Sequence, residues 1–172
     1  MIRVVAHDPG WTAKFELEAE RIVEAIGEVV VRAHHIGSTA ISGMKAKPVI
    51  DVLLEVASLQ ALDQKAALLE SLGYEALGEF GISGRRYFRL DDSSGTRMFQ
   101  VHAFEAGVPD VIRHIAFRDY MRAHSSAAVA YGALKERLAK AHPHDRSAYI
   151  DGKDAFVKEH ERLALLWERC RH

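Results

Sequence analysis

The sequence predicts a mixed α/β fold: a hairpin-rich sheet with flanking helices, followed by an all-helical segment. Three observations carry this. Short β-branched and apolar runs occur at 28–36, 49–56, 85–91 and 97–104. Apolar residues at helical three- and four-residue spacing separate the early runs, at 11–26 and 59–72. From Pro109 onward only the helical pattern continues, over 109–123, 126–141 and 147–169.

Taken in order, "IRVVA" at 2–6 reads as a short strand, and Pro9-Gly10 makes a turn. Trp11, Phe15, Ile22 and Ile26 share one face of the first helix, which Gly27 closes. "EVVVRAHHI" at 28–36 is a strand, and a polar glycine-bearing loop occupies 37–48. "VIDVLLEV" at 49–56 is apolar almost throughout, as in a strand covered on both faces. Ser58 is the N-cap of the next helix and Gly73 its end. Strands at 74–80, 85–91 and 97–104 follow, joined by the turns "GISG" and "DDSSGT". "HPHD" at 142–145 separates the last two helices. The best boundary lies near Gly107, giving a core over 1–107 and a helical segment over 108–172 expected to pack on it as one compact unit.

Composition narrows the function classes. With 23 basic and 24 acidic side chains the net charge is −1, so nucleic acid is not the expected partner. A single cysteine, Cys170, rules out a disulfide framework within the chain. No apolar run approaches the roughly 20 residues of a membrane helix, and "MIRVVAHDPGW" has no secretion-signal pattern. A cytoplasmic protein without membrane contact is expected, and a homo-oligomer stays open.

The chemistry concentrates in "HIGSTAISGMKAKPVID" at 35–51. A glycine at 37 lets backbone N–H groups approach a phosphate, and the hydroxyls of Ser38 and Thr39 add donors. Asp51 opens the next strand. A carboxylate facing a phosphate-binding turn is the arrangement of metal-assisted phosphoryl or nucleotidyl transfer. Strand alternation puts 51, 53 and 55 on one face. The second acid expected at 53 is Leu53, and Glu55 is roughly 6–7 Å further along than that position by strand rise. The strand "MFQVHAF" offers Gln100 and His102 where a third carboxylate would come.

Four separated motifs, "HIGSTAISGMKAKPVID", "FRDYMR" at 117–122, "YGALKERLA" at 131–139 and "YIDGKDAFV" at 149–157, with "DPGW" at 8–11, make the chain resemble the GrpB-like family, also called UPF0157-like. That family is of unsettled function and is placed in the nucleotidyltransferase superfamily. The resemblance implies a nucleotidyltransferase-like sheet and a nucleotide or phosphorylated small molecule as ligand. It favours Arg86 in "GRRYFRL" as a basic ligand residue and matches Lys135 and Lys153 to basic positions of the helical part. GrpB-like domains also resemble those joined to dephospho-coenzyme A kinase.

Two readings of the motif stay open. In the functional one, Asp51 with His102 and His35 holds a single divalent cation. Magnesium or manganese is then expected, or a transition metal if the histidines ligate. Ser38, Thr39 and Lys47 hold phosphates, and Arg118, Lys135 and Lys153 form a cationic lid. Nucleotidyl transfer then rests on a degenerate acidic motif, with Asp51 and His102 as the catalytic pair. In the structural reading, Asp51 accepts hydrogen bonds from the 37–39 loop and pairs with Lys47. A non-catalytic interaction module and a single-metal hydrolase using Asp51 and His102 are the alternatives. No HExxH, paired-cysteine or G-x-S-x-G motif is present.

Overall fold

The structure is a computed structural model and describes residues 1–171. The chain falls into two compact units. The sheet unit comprises Gly10–Ile36 and Val49–Ile112, and the helical unit Met1–Pro9, Gly37–Pro48 and Arg113 onward. The helices that follow the sheet thus share a unit with the first nine residues and the glycine-bearing loop. The expected boundary near Gly107 had left both of those segments with the core.

In the sheet unit, α1 (Gly10–Ile26) leads through one 3-10 turn into β1 (Val30–Ile36). Next come β2 (Ile50–Val56), α2 (Leu59–Ser71), β3 (Glu75–Ala76), β4 (Arg86–Asp91) and β5 (Arg97–Glu105). The strands are ordered β1-β2-β5-β4-β3. Among the described strands, only β2 and β5 run parallel. The parallel pair needs a crossover, which α2 and the β3–β4 hairpin supply. Strand β2 is central and apolar: Val52, Leu53, Leu54 and Val56 are fully buried. Ser58 caps α2 as predicted, its side chain accepting from Ala61 N–H at 3.0 Å. Helix α1 is tied to the end of α2 by a buried polar cluster. There Arg21 and Tyr74 both donate to Glu18, and Arg21 reaches the Leu72 carbonyl.

Two predicted strands shrink. Residues 2–6 make a single bridge, Val5 to Ala46, in the helical unit. The strand expected over 74–80 is only Glu75–Ala76. Gly78, Phe80, Gly81 and Gly84 all have positive φ, which no strand accommodates. Arg85 holds this loop from inside by donating to the carbonyls of Glu79 and Phe80. The other hairpin turn forms as read. Asp92 accepts from Ser94 N–H, Ser94 Oγ and Thr96 N–H, and Gly95 takes φ +84°.

In the helical unit, α3 (Pro109–Ala123, within this unit from Arg113), α4 (Ser125–Ala141) and α5 (Arg146–Arg171) match the predicted helices to within two residues. Asp145 of "HPHD" caps α5 through Ala148 N–H. The 37–48 loop is part of this unit's core. Ile41 and Met44 are buried with Met121 and Tyr131, and Phe117, Phe156 and Val157 pack around them. Arg122 donates to the Ala40 carbonyl at 2.9 Å, and Lys45 pairs with Glu136 at 2.6 Å. Two glycines allow close approach here. A Cβ on Gly132 would sit 3.7 Å from the backbone nitrogen of Lys45, and one on Gly152 would collide with Leu138.

Candidate anion-binding site

The helical unit gathers three ammonium groups. Tyr131 and Lys135 are one helical turn apart on α4, and Tyr149 and Lys153 one turn apart on α5. Residues four apart on a helix are neighbours, so each lysine rests over a tyrosine ring. Lys135 Nζ lies 4.5 Å from the Tyr131 centroid and Lys153 Nζ 4.8 Å from that of Tyr149. Lys47, from the end of the 37–48 loop, brings its Nζ to 5.1 Å from the same Tyr149 ring. Lys135 is 2% exposed, and among the described residues its Nζ has no hydrogen-bond partner. The Tyr149 hydroxyl, also buried, has none either.

The electrostatics of Lys135 are those of a cation without an anion. Burial, then the charges of Lys153 and Lys47, push its pKa from the ordinary 10.5 down to about 7. Burial also pushes the Tyr149 hydroxyl up to about 12. A buried lysine is ordinarily paired. Here the charged groups acting on it are two further lysines, Lys153 and Lys47, and its ammonium rests over the face of the Tyr131 ring. An anion entering this cluster would gain hydrogen bonds from an ammonium and a hydroxyl whose desolvation has already been paid for.

In the sheet unit, Asp51 and His102 do meet, on one face of the β2–β5 pair: His102 Nε2 lies 3.0 Å from Asp51 Oδ1. Arg85 Nη1 lies 3.3 Å from the other ring nitrogen, Nδ1. An arginine can only donate, so Nδ1 accepts and the ring proton sits on Nε2, pointing at Asp51. His102 therefore positions the Asp51 carboxylate and offers no lone pair on that side.

The donor set does not fit a bound divalent cation. Leu53, in register with His102, is fully buried hydrocarbon in the place of a second acid. Glu55 accepts from His34 at 2.6 Å. His35, expected as a third ligand, pairs with Val52, so its side chain leaves the sheet on the face opposite Asp51 and stacks on Phe15 of α1 at 4.8 Å. Among the described residues, no group of three or more His, Cys, Asp or Glu side chains is placed to hold a metal ion. With one carboxylate and a proton-bearing imidazole nitrogen, the catalytic pair and the single-metal hydrolase expected at Asp51 and His102 lose their ligand geometry.

The other predicted residues divide. Lys47, Lys135 and Lys153 come together as described. Arg118 forms an ion pair with Asp119 at 2.9 Å. Arg86 spends its fork on Asp63 of α2, at 2.7 and 3.1 Å. It does so because its strand position faces the helices, whereas Arg85, one residue earlier, turns to the Asp51 face. Gly37 has φ +74°, which a side chain would strain, and it opens a 3-10 turn over Ser38–Ala40. Ser38 is half-buried and Thr39 buried within that turn. The sequence reading favoured Arg86 over Arg85 and missed Tyr131 and Tyr149. Both tyrosines had a signal in the repeated Tyr-x-x-x-Lys spacing of "YGALK" and "YIDGK".

The fold is similar to that of solved nucleotidyltransferase structures. Terminal uridylyl transferase 4 from Trypanosoma brucei, solved with bound dUTP, matches with a TM-score of 0.55. That match covers 95% of this chain and 56% of that one at 13% identity, a likeness of fold alone. The chain itself belongs to the GrpB family, whose "GrpB protein" model matches residues 1–162. The crystal structure of conserved protein GrpB from Enterococcus faecalis superposes with a TM-score of 0.92. It is 38% identical over 96% of this chain and 99% of that one. UPF0157 protein YqkA of Bacillus subtilis (strain 168) is 40% identical over 171 residues, 99% of this chain and 49% of the relative. The chain thus spans about half the length of that relative. No helix among the described residues is long and apolar enough to cross a membrane.

Proposed function

We propose that this chain binds a phosphate-bearing ligand, a nucleotide or a phosphorylated small molecule, through Lys47, Lys135, Lys153 and Tyr149 of the helical unit. One observation carries the reading: a fully buried amine with no hydrogen-bond partner, acted on by two more lysines. Bringing three like charges together costs free energy, and a bound polyanion returns it. The positive-φ turn at Gly37, with Ser38 and Thr39 behind it, is the same unit's second candidate for phosphate contact. The nucleotidyltransferase fold supports a nucleotide as the first ligand to try. Transfer chemistry draws no support from the sheet face, where Leu53 replaces an acid and Asp51 is held by His102.

Isothermal titration calorimetry with pyrophosphate, nucleoside triphosphates, dinucleotides and coenzyme A precursors tests this. At least one should bind, and Lys135→Met and Lys153→Met should each weaken it by about tenfold or more, the worth of one charge-assisted hydrogen bond. Absence of binding to every compound, or unchanged affinity in both variants, refutes the reading.

A further inference from the structure

Phosphate chains in solution travel with divalent cations, and proteins that act on them ordinarily hold the cation with paired carboxylates. This chain departs from that arrangement in two independent places. On the sheet face, the residues positioned for a metal are committed elsewhere. Asp51 accepts the Nε2 proton of His102, and Arg85 blocks Nδ1. Glu55 is engaged by His34. The Arg85 guanidinium, one hydrogen bond behind Asp51's partner, adds a fixed positive charge that opposes a dication. In the helical unit, the positive charge is supplied by the protein itself: Lys135 buried, Lys47 and Lys153 over one tyrosine ring.

We infer that the three lysines and the Tyr149 hydroxyl do the charge-neutralising work of a metal, so that the ligand is taken as a metal-free polyphosphate anion. The inference rests on the anion-binding reading above and specifies the form of its ligand. The chemistry follows from charge. A magnesium or manganese ion on a pyrophosphate cancels two of its charges and occupies the oxygens that ammonium groups would bind. Presented with that complex, a cluster of cations gains little and meets like charge at close range. The bare anion offers every oxygen. It also draws a proton onto Lys135, because it favours the charged amine that burial disfavours. The groups facing that amine are Lys47 from the 37–48 loop, Lys153 and Tyr149 from α5, and Tyr131 from its own helix.

The test uses the whole chain and sodium pyrophosphate or inorganic triphosphate as the probe. Titrations are run with excess EDTA, with excess magnesium and with excess manganese. Each is repeated near neutral pH in two buffers of different ionisation enthalpy. Full affinity is expected in EDTA, falling by about tenfold or more in either metal, as loss of one partly screened ion pair would give. The buffer dependence should report net proton uptake, and Lys135→Met should abolish that uptake. Lys153→Met, at a half-buried position, keeps the test intact should Lys135→Met misfold: it should weaken binding in EDTA. Binding that requires magnesium or manganese, or is strengthened by them, overturns this inference and leaves the anion-binding reading standing. No binding under any condition overturns both.

Discussion

Replacing Lys135 by methionine removes a buried charge while keeping the unbranched stem and its packing. In the ligand-free protein the amine's pKa lies near 7, against 10.5 for an ordinary lysine. The folded chain therefore holds this proton less tightly than the unfolded chain does. Between about pH 7 and 10.5 the unfolded state carries the extra proton, so stability rises with pH across that window. Below pH 7 both states are protonated, and the cost of burying the charge is constant. The two pKa values set that cost at about 5 kcal/mol as an upper bound. Replacing even a buried ion pair by well-packed hydrocarbon is often neutral or stabilising by about 1–4 kcal/mol, and an amine without an anion has less attraction to lose. Lys135→Met should therefore be the more stable protein at pH 7. Its advantage should shrink by up to about 1.4 kcal/mol per pH unit towards pH 9. Urea unfolding of both proteins at several pH values measures the gap directly. A variant less stable than the parent at pH 7, or a gap that stays constant from pH 7 to 9, would refute the argument that this amine is buried without an anion.

Two further expectations concern what holds the two sites in place. Arg85→Met should release His102 from a single tautomer: nitrogen chemical shifts of the ring should show an Nε2–H imidazole in the parent and a mixture in the variant. Identical shifts in the two proteins would mean that Arg85 does not set the tautomer. Gly152→Ala forces Leu138 to move, since the added Cβ meets its δ and γ carbons. It should cost about 1–3 kcal/mol of stability and also weaken pyrophosphate binding, because Lys153 is the next residue. Denaturant melts and calorimetry read the two effects, and an alanine variant at parental stability would show that the helices have room to spare.

The elements that were legible in the sequence are those decided by local periodicity and punctuation. Helices α3 to α5 appear within two residues of their predicted limits because helical spacing, Pro109 and "HPHD" act over a few residues. Ser58 and Gly73 bound α2 for the same reason. The strand over 74–80 stops at Ala76 because Gly78 and Phe80 within it have positive φ, as do Gly81 and Gly84 beyond it, and the segment is a loop held by Arg85. Alternation gave the facing of 51, 53 and 55 correctly, yet could not say on which side His35 would lie. That was decided by the antiparallel register, which sets His35 against Val52 and turns it towards α1.

The sequence alone determined the family, the α/β-then-helical order and the identity of the basic residues. Each of these is written in near neighbours along the chain. Tertiary structure alone decided which charges stand together. Lys47, Lys135 and Lys153 are far apart in the chain and converge because the 37–48 loop packs into the core of the helical unit. Arg86 and Arg118 carry the same charge but are neutralised by Asp63 and Asp119. A charge becomes available to a ligand or is cancelled by a partner according to distances of a few ångströms, and those distances exist only once the chain has folded.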